Sequence, residues 1–406
     1  MIIWIINPFD PLPGEIIHPW RYWSLAKILK EKGHDVIWWS SSFNHYDKKQ
    51  RDINKIYDKE FEIRIIKTKP YKKNISLARL VNHRQFAKNF FLTAKNLLNK
   101  GELIPPDKYI VSIPPLQISQ AVFQLRKIWG GKVILDIQDA WPETFYRFIP
   151  GGEKIRKSLG PIVFAPWFQQ ARRAYAQTNA ISGVAKKYID LALGKRNQVP
   201  SLVVPIGISL SLIDKYLPKK MELLTPIKFI YLGSMSENYD LESVIHATNT
   251  LVSKGYKLQV LIVGKGPKEN SLKKLISSLK LTSTIRLMGY LKFSDMVQIL
   301  HQSHVALNTI YPSSYIALPN KIGDYTGAGL PIINSISGEL NDLLEKYHAG
   351  IFYKAGDISS LMKAMQFYLD NQEIILIQGE NSRKLAEDLF DRDKNYPIFA
   401  DFIESV

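Results

Sequence analysis

The stretch IKFIYLGSMSENYDLESVI, residues 227–245, decides the architecture. A run rich in Ile, Phe and Tyr ends at Gly233, a polar Ser-rich turn follows, and a helix is expected near 239–253. This is the start of a strand-to-helix unit, and it comes past the midpoint of a 406-residue chain. The preceding half already alternates in this way, with strands expected at 2–6, 35–39, 62–66, 109–113, 132–137 and 201–204. Helices are expected between them at 17–32, 76–98, 116–128, 154–176 and 184–192. From residue 227 the pattern restarts, with further strands at 259–263, 284–288, 305–309, 331–334 and 350–353 and helices at 268–280, 294–301, 320–328, 338–346 and 357–370. A chain of this length exceeds one ordinary core. Two successive alternations predict an α/β protein of two Rossmann-like domains facing across a cleft, with ligands at the carboxyl ends of the strands.

The expected boundaries are a first domain over 1–205, a linker over 206–226, a second domain over 227–385 and a closing helix over 386–406. The closing helix is free to pack on either domain, the first being the expectation. The apolar opening, Met1–Ile6, lacks a basic flank and stops at Asn7-Pro8, so it reads as a buried strand and not as a signal peptide. No apolar run is long enough to cross a bilayer. With no cysteine, the chain has neither disulfides nor thiolate metal sites, which suits a reducing cytoplasm. The net charge of +17 lies wholly in the first half: residues 1–205 hold 33 Lys and Arg against 16 Asp and Glu, and the remainder holds 21 of each. One basic lobe beside a neutral one points to an anionic partner for the first.

Three expected strand ends in the second half finish in glycine, at Gly233-Ser234, Gly264-Lys265-Gly266 and Gly289-Tyr290-Leu291. Glycine there admits close approach of a ligand, although an ordinary turn is the plainer alternative for each. PNKIGDYTGAGLP, residues 319–331, places two glycines, Gly323 and Gly327, inside a short helix capped by Asn320 and stopped at Gly329. Lys321 and Asp324 lie three apart on its surface. The glycines read as a bare strip for close approach, Asp324 as an acceptor for a ribose diol, and the amides of 318–321 as facing a pyrophosphate. The alternative is a surface Lys–Asp pair on a packing helix.

These residues carry a resemblance. PNKIGDYTGAGLPIINSISGEL resembles the donor-site signature of bacterial retaining glycosyltransferases of the GT-B fold, family 4, of the type that builds cell-surface polysaccharide. YLGSMSENYDLESVI and LIVGKGPKENSLKKLI resemble the family's C-terminal-domain turns. PGEIIHPWRYWSLAKILKEKGHDVIWWSS is similar to its mobile glycine loop and first helix, and VILDIQDAWPETF to its D-x-R-D-L-W-P-E segment. The chain departs from the family where Ile316 replaces the first of two donor-site acids, where Asp324 stands for the usual Glu, and where Ser234, Ser236 and Asn238 replace a basic pair.

The resemblance implies a donor nucleotide-sugar held by Gly14, Gly233, Ser234, Gly264, Lys265, Tyr290, Leu291, Asn320, Lys321 and Asp324, with UDP favoured over GDP. It assigns the catalytic work to Lys321, Arg21 and Asp139, the last orienting the acceptor hydroxyl or the donor sugar, while Asp136 reads as structural and His45 as a lining residue. No metal and no cofactor are expected. The acceptor is expected to be a growing, lipid-linked glycan bound by the first domain. Basic and aromatic residues around Lys67–Arg84 and Glu153–Arg173 suggest an anionic membrane surface as well. Competing readings are a nucleotide-sugar epimerase on the same scaffold and a basic nucleic-acid-binding protein. The second is disfavoured because the charge is dispersed and no recognised binding motif accompanies it.

Overall fold

The computed structural model describes residues 1–15, 20–194, 199–216, 225–311 and 314–406, apart from the Lys55 side chain. They form two compact units: Met1–Val204 with Tyr396–Val406, and Pro205–Asn395.

The first unit contains β1 (Ile2–Ile6), β2 (Asp35–Ser41), a small hairpin of β3 (Phe43–Asn44) and β4 (Lys49–Gln50), β5 (Glu62–Ile66), β6 (Lys108–Ile113), β7 (Lys132–Ile137), β8 (Ala180–Gly183) and β9 (Ser201–Val203). Seven of these form a parallel sheet in the order β5-β2-β1-β6-β7-β8-β9. The chain works outward from β1 to β5, then returns to the other side of β1 at β6. That reversal opens a crevice beyond the carboxyl ends of β1 and β6. β8 and the hairpin were not expected from sequence. The single helix expected over 154–176 is two, Glu153–Val163 and Ala165–Gln177. Pro166 has no N–H to give and stands in the first turn of the second helix, where none is needed.

Side chains on a strand alternate between faces, and the tryptophans show it. Trp38 packs with Ile3, Ile5, Tyr22 and Leu25 on one face, whereas Trp4 and Trp39 meet at 5.1 Å on the other, beside Phe90 and Tyr109. The first of these clusters is completed by Tyr396, Phe399, Ala400 and Ile403 from the terminal helix Arg392–Ser405.

Within this unit lies a buried ion pair. Asp136, on β7, accepts from Arg21 Nε and Nη2 at 2.7 Å each, from Tyr22 Oη at 2.6 Å and from Ser182 Oγ at 2.7 Å. Arg21 Nη1 donates to the Val204 carbonyl at 2.9 Å, and the guanidinium lies over the Phe399 ring at 4.9 Å. Burial alone would raise the Asp136 carboxyl, but Arg21 and the hydrogen bonds outweigh it and hold the group below its ordinary value. The expectation that Arg21 serves a donor phosphate is therefore corrected: the residue is 1% exposed and its donors are committed inside the first unit.

The second unit carries β10 (Ile227–Leu232), β11 (Leu258–Val263), β12 (Ile285–Gly289), β13 (Val305–Asn308), β14 (Ile332–Asn334) and β15 (Gly350–Phe352). They form one parallel sheet in the order β12-β11-β10-β13-β14-β15. This is the order of a dinucleotide-binding sheet, and it reverses between β10 and β13. Part of the stretch expected as a linker belongs here: Leu210–Asp214 is helical and buries Leu210 and Ile213, while Pro218 lies outside the described residues.

The two glycines of the helix Lys321–Gly327 have a use other than the one expected. A Cβ on Gly323 would stand 3.2 Å from the Gly207 carbonyl carbon, and one on Gly327 would stand 2.9 Å from Ile213 Cδ1 and 3.1 Å from Ile208 Cγ2. The bare strip seats the chain's own segment 207–213, so the expectation of ligand approach there is corrected. The same segment is fastened from the other side by Arg392, which donates to the carbonyls of Ile206 and Gly207, and by Asp393, which accepts from Ser209 and Ser211.

Arg21→Met strands the Asp136 carboxylate in the interior. Removing one partner of a buried pair costs about 3–5 kcal/mol, and urea unfolding of the variant should show a loss of that order.

Candidate functional site

At the reversal point of the second sheet, β10 and β13 pair only through Phe229 with Val305 and Ile230 with Ala306, and then diverge. Diverging strands leave peptide groups without ladder partners, and such groups must be satisfied when buried. Tyr325 fills the gap. Its hydroxyl accepts from the Leu232 N–H at 2.7 Å and donates to the Leu307 carbonyl at 3.1 Å. The side chain is fully buried, so it fixes the helix Lys321–Gly327 against the carboxyl ends of both strands.

One turn before Tyr325, Lys321 is carried into the same place. Its ammonium lies 4.1 Å from the centroid of Tyr231 and 4.6 Å from that of Tyr239, two rings meeting edge to face. Lys321 is 8% exposed, and its Nζ makes no hydrogen bond among the described residues. Burial pushes its pKa well below the ordinary lysine value. Cation–π contacts recover part of the lost hydration, about 2 kcal/mol when desolvated, but they provide no hydrogen-bond acceptor. The ammonium is arranged to meet an anion.

Asp324 does not supply that anion. No ion pair joins it to Lys321 among the described residues, which disposes of the surface-pair alternative. Burial raises the Asp324 carboxyl to about 7, with Arg392 acting in the opposite direction. An acid of this kind can accept from, or donate to, a diol.

The loops after β10, β11 and β12 adjoin this place and are stitched together. Gly233 N donates to the Val263 carbonyl at 3.0 Å, Gly264 N to the Gly289 carbonyl at 2.7 Å, and Met235 N to the Lys265 carbonyl at 3.0 Å. Gly264 has φ +136°, and a Cβ on it would meet the Gly233 carbonyl oxygen at 1.9 Å. The glycine there answers to loop-on-loop packing, a close approach of the chain's own backbone and neither a ligand contact nor an ordinary turn. Ser234, Lys265, Tyr290 and Asn320 are exposed around these loops and Leu291 is half-buried. The rings of Tyr231 and Tyr239 and the bridging role of Tyr325 were not foreseen. Asp324-Tyr325 is part of the quoted signature, but only the acid had been given a role.

In the first unit, Asp139 follows β7 and is half-buried. Burial raises its carboxyl to about 6 against the Ala140 N–H and the charges of Arg79 and Arg147. Gly14 is exposed at φ +88° and precedes residues 16–19, which lie outside the described residues. His45 is half-buried, with its pKa pushed down to about 3 by burial first and by Arg79 and Lys48 next. Sequence reading passed over Arg79, His83 and Trp141, which share the carboxyl edge of the first sheet with Asp139. The spacing of four between Arg79 and His83, which places them on one helical face, was the available signal.

Comparison with known proteins bears on the fold. Residues 214–385 match the family model described as "Glycosyl transferases group 1". The chain superposes over its full length on a sucrose-phosphate synthase from Thermosynechococcus elongatus, covering 98% of that chain with a TM-score of 0.72 at 13% identity. It also superposes on Anabaena HepE in complex with UDP, covering 100% of both chains with a TM-score of 0.66 at 12% identity. The fold is that of the GT-B glycosyltransferases.

A curated relative, the 2-deoxystreptamine N-acetyl-D-glucosaminyltransferase of Niallia circulans, is 23% identical over 155 residues, 38% of this chain and 39% of the relative. The match thus spans well under half of that protein. The family-model match, residues 214–385, lies within the unit that carries Lys321, Asp324 and the β10–β13 reversal. Within that unit, the pKa of Asp324 has a measurable consequence. An acid raised to about 7 binds a proton more tightly in the folded than in the unfolded state, so stability falls as pH rises from about 4 to about 7. Asp324→Asn should flatten this fall, gaining on the wild type across that window and keeping a constant margin above it, as read by thermal midpoints from pH 4 to pH 8.

Proposed function

We propose that this protein is a retaining glycosyltransferase of the family 4 type, moving a sugar from a nucleotide-sugar, UDP-linked in preference to GDP-linked, to a hydroxyl of a growing, lipid-linked cell-surface glycan. The observation that carries the reading is the buried Lys321 ammonium, held between Tyr231 and Tyr239 at the reversal point of the second sheet with no hydrogen-bond acceptor among the described residues. A diphosphate is the matching ligand, because its charge restores what burial removes. Charge then builds on that diphosphate as the glycosidic bond breaks, and the Lys321 ammonium, protonated on binding the diphosphate and already stripped of water, stabilises it. Asp324 takes the ribose hydroxyls. The amides of 318–321 and the exposed Lys265 complete the phosphate contacts, and no metal ion or cofactor is assigned a role.

The acceptor is assigned to the first unit, with Asp139 orienting its hydroxyl. An anionic membrane surface is the second partner. In support, the helix Glu153–Val163 exposes Ile155, Leu159, Ile162 and Val163 beside Lys154, Arg156 and Lys157, the combination that binds anionic lipid interfaces. Among the described residues no helix is long and apolar enough to cross a membrane.

Binding of a diphosphate to a lysine of depressed pKa must take up protons. Calorimetry with UDP at pH 8 in buffers of different ionisation enthalpy should show net uptake for the wild type and none for Lys321→Met, with affinity at least about tenfold lower. Asp324→Ala should weaken UDP by about 1.5–3 kcal/mol. Unchanged affinity in both folded variants would remove the donor assignment.

For the membrane, reversing Lys154 and Lys157 to Glu should abolish co-sedimentation with vesicles containing phosphatidylglycerol and leave UDP affinity intact. Salt should imitate the reversal, since exposed charges are screened over about 8 Å at physiological ionic strength. Equal binding to neutral and anionic vesicles at low salt would eliminate the membrane partner.

A further inference from the structure

The carboxyl edge of the first sheet gathers a second polar cluster. Phe9 follows β1, His45 lies in the turn of the β3–β4 hairpin, Trp141 follows β7, and Arg79 and His83 sit one turn apart on the helix Leu77–Asn99. Their rings are in contact: Phe9 lies 5.1 Å from His45 and 5.3 Å from His83, and His83 lies 6.3 Å from Trp141. The Arg79 guanidinium stands 5.6 Å over Phe9.

Hydrogen bonding fixes the state of this cluster. Arg79 Nε donates to His83 Nε2 at 3.2 Å, and an arginine can only donate. His83 Nε2 is therefore the acceptor of the neutral ring, and the proton resides on Nδ1. His83 is 1% exposed and Trp141 6% exposed, and neither His83 Nδ1 nor Trp141 Nε1 has a hydrogen-bond partner among the described residues. Arg79 Nη1 is bonded to the Asn74 carbonyl at 3.0 Å, and no carboxylate lies within ion-pair distance of Arg79 among those residues. Beside it, Lys48 is bonded to Asn74 Oδ1 at 2.5 Å. Two buried N–H groups without acceptors stand beside a guanidinium whose own bonds go to neutral acceptors and which feels the charge of Asp139 with no ion-pair contact to it among the described residues. Each orphaned donor costs about 1–3 kcal/mol, and such groups call for an explanation.

We propose that this cluster is an acceptor subsite that takes an oxyanion, a carboxylate or a phosphate, borne by the glycan to be extended. The inference rests on the glycosyl-transfer reading and narrows its acceptor to an anionic class. A neutral sugar hydroxyl could occupy one donor but would leave Arg79 without a counter-charge in ion-pair contact. An oxyanion accepts from His83 and Trp141 together and neutralises the guanidinium. Asp139, the acid of the same strand end, is left to the neutral hydroxyl that reacts.

The test is calorimetry on the full chain with the donor site saturated by UDP, titrating inorganic pyrophosphate, glucuronate and, as neutral control, glucose. One of the two anions should bind, and which one does identifies the source of the oxyanion. Affinity should fall about tenfold or more in Arg79→Gln and severalfold in Trp141→Phe, which keeps the ring and loses only the N–H. The His83 Nδ1 proton resonance should move on saturation with the anion and stay fixed with glucose. Equal binding by wild type and a folded Arg79→Gln, binding of neither anion, or displacement of UDP by the anion would overturn the proposal. Failure of UDP to bind would instead refute the donor reading, and titration of the anions alone would still report on Arg79.

Discussion

A single phenol holds the second unit's site together. A sheet that reverses direction must let two neighbouring strands part, and the parting strips two backbone groups of their ladder partners. Tyr325 answers both with one oxygen, accepting from Leu232 and donating to Leu307. Because that phenol is buried and committed in both directions, the helix that bears it has little freedom to shift or rotate. Lys321, one turn earlier, is consequently held above Tyr231 and Tyr239, where water cannot follow. The chain has used a requirement of backbone chemistry to place a cation it could not otherwise keep dry.

The same helix shows how far the sequence could be read. Its position, its limits and its two charged residues were legible, because caps, glycine stops and helical spacing are local signals. What its glycines were for was not. A bare helical strip states that something comes close, and the partner here is the segment 207–213, more than a hundred residues earlier in the chain. By its polar, proline-containing continuation that segment reads as a linker. Its own apolar residues, Ile208, Leu210 and Ile213, find their counterpart only once the sheet has folded. The alternation of strands and helices was legible, whereas β8, the β3–β4 hairpin and the order of strands in either sheet were not.

The roles of the arginines are hidden from the sequence for a related reason. Arg21 stands in the segment that resembles the family's first helix, and a basic residue there invited a phosphate. Burial reversed its role. Asp136 lies 115 positions away, and nothing in the neighbourhood of either residue announces that they meet. Arg79 is the opposite case, an unremarked residue in a basic run whose spacing to His83 was visible while its lack of a carboxylate partner was not. Whether an arginine is structural or receptive depends on what surrounds the guanidinium, and that is a long-range property.

The two units apply one topology to different electrostatic ends. Each sheet runs outward, returns past its first strand and opens at the reversal. In the second unit, which is close to neutral, charge is concentrated in one desolvated lysine flanked by aromatic faces. In the first, the excess of basic residues is spread over the surface, and the cluster at the strand ends is built from donors held by histidine, tryptophan and arginine. A lone desolvated ammonium depends on close contact and is little affected by salt, whereas a broad basic surface acts at a distance and is screened. The first arrangement suits a small ligand that must be gripped during chemistry. The second suits a large anionic partner that must first be found.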